Sequence, residues 1–375
     1  MRIIAFYLPQ FHCFPENDEW WGKGFTEWTN TRKAKPLFKG HYQPRTPFGE
    51  NYYNLLEPET MQNQIKLAKE NGVYGFCFYH YWFENGKKLM EKPIERYLQD
   101  SSLDQHFCLC WANEAWTRAW DGGDKQVIMP QKYGNKKEWK EHFDYLLPYF
   151  KDERYIQQDG KPVFVIYRPE ICPVINEMLD YWQEEAKKAG LEGICYMVQG
   201  TYFNTRKNPD DSRFDYRILY EPGYTDYQFA EKNPLAILKN TIKAPKYMFT
   251  QIKRRVFKKM KTPLKLQVYD YDEFWKNILK RKNINSKFIP GAFTDWDNSP
   301  RRGENGRIFK GSTPQKFEKY LTEQIRLAKE QYSTDMLFIT AWNEWAEGAY
   351  LEPDEKYGDR YLKAVKNALK NNQEF

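Results

Sequence analysis

Met336-Leu-Phe-Ile-Thr-Ala-Trp-Asn-Glu-Trp-Ala-Glu-Gly348 opens as an unbroken apolar run and ends in two glutamates framed by tryptophan and glycine. A run this dense in apolar residues, without polar alternation, suits a parallel strand covered on both faces, here Met336–Asn343. Before it, Pro314–Gln331 has helical periodicity and opens on the start signal Ser312-Thr313-Pro314; after it, Lys356–Asn371 is helical again. The same alternation runs back to the beginning of the chain. Strand patterns fall at Arg2–Pro9, Val73–Trp82, His106–Asn113, Val163–Arg168, Gly193–Gln199, Phe214–Tyr220 and Phe288–Asp295. Helical patterns fall between them at Glu59–Asn71, Lys87–Gln99, Lys136–Phe150, Pro173–Ala189 and Glu273–Lys282. Eight strands alternating with helices predict an α/β fold of the (β/α)₈ TIM-barrel class, one domain over residues 1–375. The doubly wound alternative lacks a Gly-rich phosphate-binding turn after the first strand. Two connections, 10–58 and 222–263, exceed ordinary loop length, and loops that long are usually functional.

Composition narrows the class. Hydrophobic residues at 41% supply a substantial core and exclude a disordered chain. Aromatic residues at 18% exceed what a core needs, which points to flat faces offered to a ligand such as the C–H side of a sugar. No apolar run approaches the roughly 18 residues of a membrane span. The opening Met1-Arg-Ile-Ile-Ala-Phe-Tyr-Leu-Pro reads as a strand rather than a signal peptide. Six cysteines without metal-site spacing read as free thiols in a reducing compartment, so a cytoplasmic location is expected.

In such a barrel the active site lies at the carboxyl ends of the strands. The first strand and the loop after it place Tyr7, His12, Trp20, Trp21, Glu27 and Trp28 there. The second supplies His80, Tyr81 and Trp82; the third Asn113, Glu114, Trp116, Arg118 and Trp120. Asp295, Trp296, Trp342 and Asn343 complete the expected substrate-binding rim. Ten of the 13 tryptophans gather at this end, and only Trp139, Trp182 and Trp275 fall in helices. Glu344 and Glu347 are the expected catalytic pair: three residues apart in a helical turn, their Cβ atoms would lie about 5–6 Å apart, suiting two carboxyls that act on one sugar. Flanking Trp342 and Trp345 would desolvate them and raise at least one pKa. Asp295-Trp-Asp297 and Asp270-Tyr-Asp272 match the Asp-x-Asp pattern of metal-dependent glycosyltransferases, a short pattern common by chance; no metal or other cofactor is expected. Residues 232–262 hold ten Lys or Arg and no acid, so the net charge of +7 divides into +10 there and −3 elsewhere. Phe249, Ile252, Val256 and Met260 recur in this segment at helical spacing, as in a helix lying on an anionic membrane or an acidic glycan. An oligo- or polysaccharide substrate is expected, with peripheral inner-membrane contact through this segment and no nucleic acid.

The rim motifs carry a resemblance. Ala5-Phe-Tyr-Leu-Pro-Gln-Phe-His12, Trp21-Gly-Lys-Gly-Phe-Thr-Glu-Trp28, Gly40-His-Tyr-Gln-Pro44 and Trp342-Asn-Glu-Trp-Ala-Glu-Gly348 resemble the WbsX-like family, itself related to glycoside hydrolase family 99. The resemblance runs from residue 1 to about 365, except for the region 201–263. It implies a (β/α)₈ fold and a retaining, metal-free mechanism in which Glu344 deprotonates the sugar's own 2-hydroxyl and Glu347 serves as acid and then base. The intermediate would be a 1,2-anhydro sugar. Ala346 and the loops depart from family 99, so mannose specificity does not carry over. WbsX-like proteins also accompany O-antigen and capsule synthesis and are often called glycosyltransferases, which keeps a sugar-nucleotide transferase and a silent glycan-binding barrel as alternatives.

Overall fold

A computed structural model describes residues 1–118, 126–201, 212–228, 266–282 and 284–375. All eight expected strands are present: Arg2–Tyr7, Gly75–Trp82, His106–Trp111, Lys161–Ile166, Cys195–Gly200, Tyr216–Leu219, a seventh in two pieces, Phe288–Ile289 and Gly291–Phe293, and Met336–Thr340. They form one parallel sheet in chain order, and the eighth pairs back to the first with Arg2 opposite Met336 and Ala5 opposite Ile339. Pro290 explains the divided seventh strand, because proline has no N–H for the ladder. The first piece pairs with the sixth strand, Ile218 opposite Ile289, and the second with the eighth, Ala292 opposite Ile339. This split closes the barrel. At Gly291 a Cβ would stand 2.0 Å from the Leu219 carbonyl oxygen, so the closing strand approaches its neighbour on glycine alone.

Side chains alternate in and out along each strand. Phe6 points to the barrel axis, where its ring lies 5.2 Å from Tyr220, 5.7 Å from Tyr79 and 5.4 Å from Phe338. Tyr7 takes the opposite parity and donates to Gln64 on the first large helix, Pro58–Glu70. Helices Lys92–Gln99, Lys136–Phe150, Ile175–Lys188, Tyr271–Leu279, Pro314–Glu330 and Arg360–Asn371 cover the rest of the outside. Trp139, Trp182 and Trp275 lie in them, as expected, and all three are buried. The long connection 10–58 carries two short helices, Pro15–Trp21 and Glu27–Lys33, and folds over the carboxyl end of the barrel. The basic stretch 232–262 and Trp120 lie outside the described residues. Among the described residues no helix is long and apolar enough to cross a membrane.

Candidate active site

The eighth strand ends in a tight structure. Asn343–Glu344 pairs antiparallel with Ala349–Tyr350, and Trp345–Glu347 between them forms a single 3₁₀ turn. In such a turn residues three apart eclipse, which sets Glu344 and Glu347 on one side. Gly348 ends the turn at φ +63°, and a Cβ there would meet the Arg45 guanidinium and the Asp297 nitrogen at 3.0 Å. Both the backbone and the space demand glycine. Asn343 fastens the strand end to the first strand, its amide donating to the Leu8 carbonyl and accepting the Leu8 N–H.

Three carboxyls converge on one buried guanidinium. Arg301, from the short helix Ser299–Arg302, donates to Glu27 Oε1 through Nη2 at 2.6 Å and Nε at 3.1 Å. Its Nη1 donates to Glu347 Oε1 at 2.9 Å, and Nη2 reaches Glu344 Oε2 at 3.5 Å. Glu27 arrives from the rim loop and Arg301 from beyond the seventh strand, so a connection more than 30 residues long and two strand ends build one cluster. The balance is one cation against three acids in a desolvated place. Burial pushes the Glu344 carboxyl up to about 8, the nearby Glu347 charge adds to the rise, and Arg301 opposes it. Glu27 is also raised by burial, with Arg301 pulling the other way. At neutral pH the cluster therefore retains a proton, held where three acids share one cation. Tyr79, Tyr81 and Tyr220 stand within range of the Glu344 charge, their phenols raised mainly by burial; Tyr167 and Glu114 continue this lining toward Arg168.

A second ionic cluster braces the first. Arg45 Nη2 donates to Asp295 Oδ2 at 2.8 Å, and its Nη1 donates to the Gly348 carbonyl at 3.3 Å. Asp297 accepts from His41 Nε2 and Gln43 Nε2, both at 2.7 Å, and from the Ser299 N–H at 3.0 Å. The His41 proton is on Nε2, because Nδ1 accepts the Leu37 N–H. Burial works upward on Asp297, but these donors and Arg45 outweigh it and hold the carboxyl below its usual range. The Asp297 N–H donates to the Glu347 carbonyl at 2.7 Å, which ties this cluster to the Trp345–Glu347 turn. The Asp-x-Asp carboxylates thus face an arginine and neutral donors rather than a common metal position. Asp270 caps a helix, and Asp272 pairs with Lys316 and Tyr320, so the second Asp-x-Asp match is structural too. A further buried acid, Glu352, accepts from Trp345, Gln64, Tyr53 and Trp342, and burial still lifts it to about 7.

The structure sorts the rim residues named from sequence. Glu27, Tyr81 and Glu114 lie around the glutamate pair, and Asp295 stands one layer behind it. Trp21, under the Arg118 guanidinium at 5.4 Å, and Trp296 are half-buried and leave surface for a ligand. Several expectations are corrected. Tyr7 and His80 have the outward parity; His80 bonds His142 on helix Lys136–Phe150 at 2.8 Å, and Trp82 stacks flat on His142 at 4.4 Å. Trp342 and Trp28 are buried with their indole N–H groups donated to Glu352 and the Tyr53 carbonyl. Trp116 is enclosed by Trp20, Tyr81 and Phe83, and so has no face left for a sugar. Asn113 and Asn343 are fully buried staples; Asn113 fastens the third strand end to Arg168 by two hydrogen bonds. His12 is buried below the rim loop. Sequence reasoning missed Arg301, Arg45, His41, Glu352 and the inward tyrosines Tyr79, Tyr167 and Tyr220.

A family model described as Glycosyltransferase WbsX matches residues 3–365. The chain belongs to the WbsX glycosyltransferase family. Uncharacterized protein WxcX of Xanthomonas campestris pv. campestris strain B100 is 36% identical over 370 residues, covering 98% of this chain and 49% of that protein. A second strain of the same pathovar has a WxcX that matches equally. This WbsX-family chain spans about half the length of the curated relatives it matches. Among solved structures, a glycoside hydrolase-like protein aligns with TM-score 0.56 at 16% identity, over 98% of this chain and 93% of its own. The GH99 endo-alpha-mannosidase from Bacteroides thetaiotaomicron, in complex with bis-tris propane, aligns with TM-score 0.54 at 14% identity, over 99% and 97%. At these identities the likeness establishes the fold, a TIM-type barrel shared with family 99.

Proposed function

We propose that this WbsX-family barrel is a single catalytic unit that cleaves or transfers at a glycosidic bond of a bacterial surface polysaccharide or its precursor, with retention. The observation that carries the reading is the Glu344–Glu347 pair sharing one buried arginine with Glu27. The substrate's 2-hydroxyl gives its proton to Glu344 while O2 attacks the anomeric carbon. The bond to the leaving oxygen breaks as Glu347 protonates it, leaving a 1,2-anhydro sugar. Glu347 then takes a proton from water or an acceptor hydroxyl that opens the anhydro ring, and Glu344 returns the proton to O2. Two inversions give retention. The pair needs one proton at the start, on Glu347; hydrogen bonds from the 2-hydroxyl to Glu344 and from Glu347 to the glycosidic oxygen select that arrangement.

The test uses the leaving group. Glu347→Gln should lose most of its activity on a sugar leaving group and regain much of it on a dinitrophenyl glycoside, which departs without a proton. Glu344→Gln should stay impaired on both, and a 2-deoxy substrate should fail with the intact enzyme. Activity that survives Glu344→Gln and depends on a sugar nucleotide with Mn²⁺ would establish the transferase instead.

A further inference from the structure

The rim loop builds a second concavity, apart from the Arg301 cluster and on the far side of Trp28. It has a volume of about 590 Å³, within the range of roughly 300–1,000 Å³ typical of small-ligand sites. Helix Glu27–Lys33 forms one wall and the Tyr52–Asn54 segment the other, with His12 and Cys13 at the base. Its charge is one-sided. Arg32 and Lys33 are exposed on the helix wall, no acidic residue lines the groove, and neither cation forms an ion pair among the described residues. Asp18, near the Gly24 end, is occupied by the Gly24 N–H at 2.8 Å.

Three features make this more than a basic surface. The Arg32 guanidinium lies 3.7 Å over the Tyr52 ring, which holds the fork in place and leaves its in-plane donors for a bidentate anion. His12 Nδ1 donates to the Pro9 carbonyl, so Nε2 is left as an acceptor; it is buried and has no partner, and burial keeps the ring neutral at physiological pH. Such an orphan acceptor suits a sugar hydroxyl. Trp28 joins the groove to the catalytic turn: its ring packs edge-on against Tyr52 at 5.2 Å and lies 5.4 Å from Trp345, the residue after Glu344.

We infer that this groove is an accessory binding site for an anionic sugar unit of the glycan, with Arg32 and Lys33 taking its carboxylate or phosphate and His12 and Tyr52 engaging the ring. The inference rests on the reading that the protein acts on glycans, but groove binding and turnover are read by separate measurements. A glycan is favoured over a membrane surface because the cations border a recess with an aromatic wall and a buried acceptor, which a headgroup plane cannot enter.

Cys13 lines the groove and is the one exposed cysteine of the six, so its alkylation reports on this place alone. With N-ethylmaleimide as reagent, trigalacturonate should slow Cys13 modification at least fivefold, and the neutral maltotriose should not. The protection should weaken tenfold or more in apparent affinity in the Arg32→Gln/Lys33→Gln double variant and with 0.5 M salt, and persist unchanged in Glu344→Gln. Melting curves of the double variant verify its fold, and Cys13 in the unliganded variant should react as in the parent. Equal protection by both trisaccharides, protection by neither, or protection by phosphatidylglycerol vesicles without trigalacturonate would overturn the inference. If trigalacturonate protects Cys13 while Glu344→Gln retains turnover, the groove stands and the glycosidase reading fails.

Discussion

Two buried arginines, Arg45 in the rim loop and Arg301 beyond the seventh strand, each face acids gathered at the carboxyl end of the barrel. Their surroundings differ in one respect. Around Arg45 the acids have other donors: His41, Gln43 and a backbone N–H share the load at Asp297, and its carboxyl is held low. Around Arg301 three acids compete for one cation, and Glu344 is left with a 3.5 Å contact and a carboxyl raised to about 8. A satisfied cluster is a brace; an oversubscribed one keeps a proton it can exchange. This contrast, rather than the Asp-x-Asp or Glu-x-x-Glu spacing by itself, separates structure from chemistry here.

The contrast should be sharpest in turnover. Glu344→Gln and Glu347→Gln are each expected to lower kcat about 10²–10⁴-fold, whereas Asp297→Asn should lower it less than about tenfold. Comparable losses in all three would erase the distinction. Stability should run the opposite way. Glu344 binds its proton more tightly folded than unfolded, so above an unfolded value near 4.3 its ionisation works against the fold, increasingly until pH passes about 8. Glu344→Gln should therefore stabilise the protein near neutral pH, by about 1–3 kcal/mol in urea unfolding. Asp297 has the opposite sign: its contribution is present above about pH 4 and disappears as pH falls through the lowered folded value. Asp297→Asn should cost about 1–3 kcal/mol at pH 7 and nearly nothing at acid pH.

Arg301→Gln removes the cation from three buried carboxyls and should cost about 3–5 kcal/mol, with turnover lost as well. The pH profile sharpens the picture further. As the proposed base, Glu344 must be ionised to take the 2-hydroxyl proton, so kcat/KM should rise as pH climbs toward about 8. A profile that stays flat across that range would place the base elsewhere. The smallest effect expected is Gly348→Ala, which forces a side chain into φ +63° and against Arg45; about 1–2 kcal/mol of stability and a modest loss of kcat should follow.

Much of this was legible from residues alone. The eight strands were readable because each is apolar on both faces, and the glutamate pair stood out at a strand end between tryptophans. Two kinds of information were hidden. A strand buried on both sides does not reveal which parity faces the axis, so Tyr7 and His80 were assigned to the site, while Tyr79 and Tyr220, which do face inward, were passed over. Arg301 and Arg45 acquire meaning only from partners 43 to 303 positions away; nothing in Ser299-Pro-Arg-Arg302 distinguishes the buried arginine from its exposed neighbour. Of the tryptophans expected at the carboxyl end, five, Trp28, Trp111, Trp116, Trp342 and Trp345, are interior parts rather than surface.

The first strand lies between the second and the eighth, and the acids that meet at Arg301 come from positions 27, 344 and 347. On a ribosome adding about 5–20 residues per second, roughly 15–65 s pass between the emergence of Glu27 and that of Glu347. Throughout that interval the growing chain has an unpaired edge at Arg2–Tyr7 and holds Glu27 without the two glutamates that will share Arg301 with it. A partly synthesised chain therefore cannot assemble the four-residue cluster around Arg301 before the last barrel strand has closed the ring.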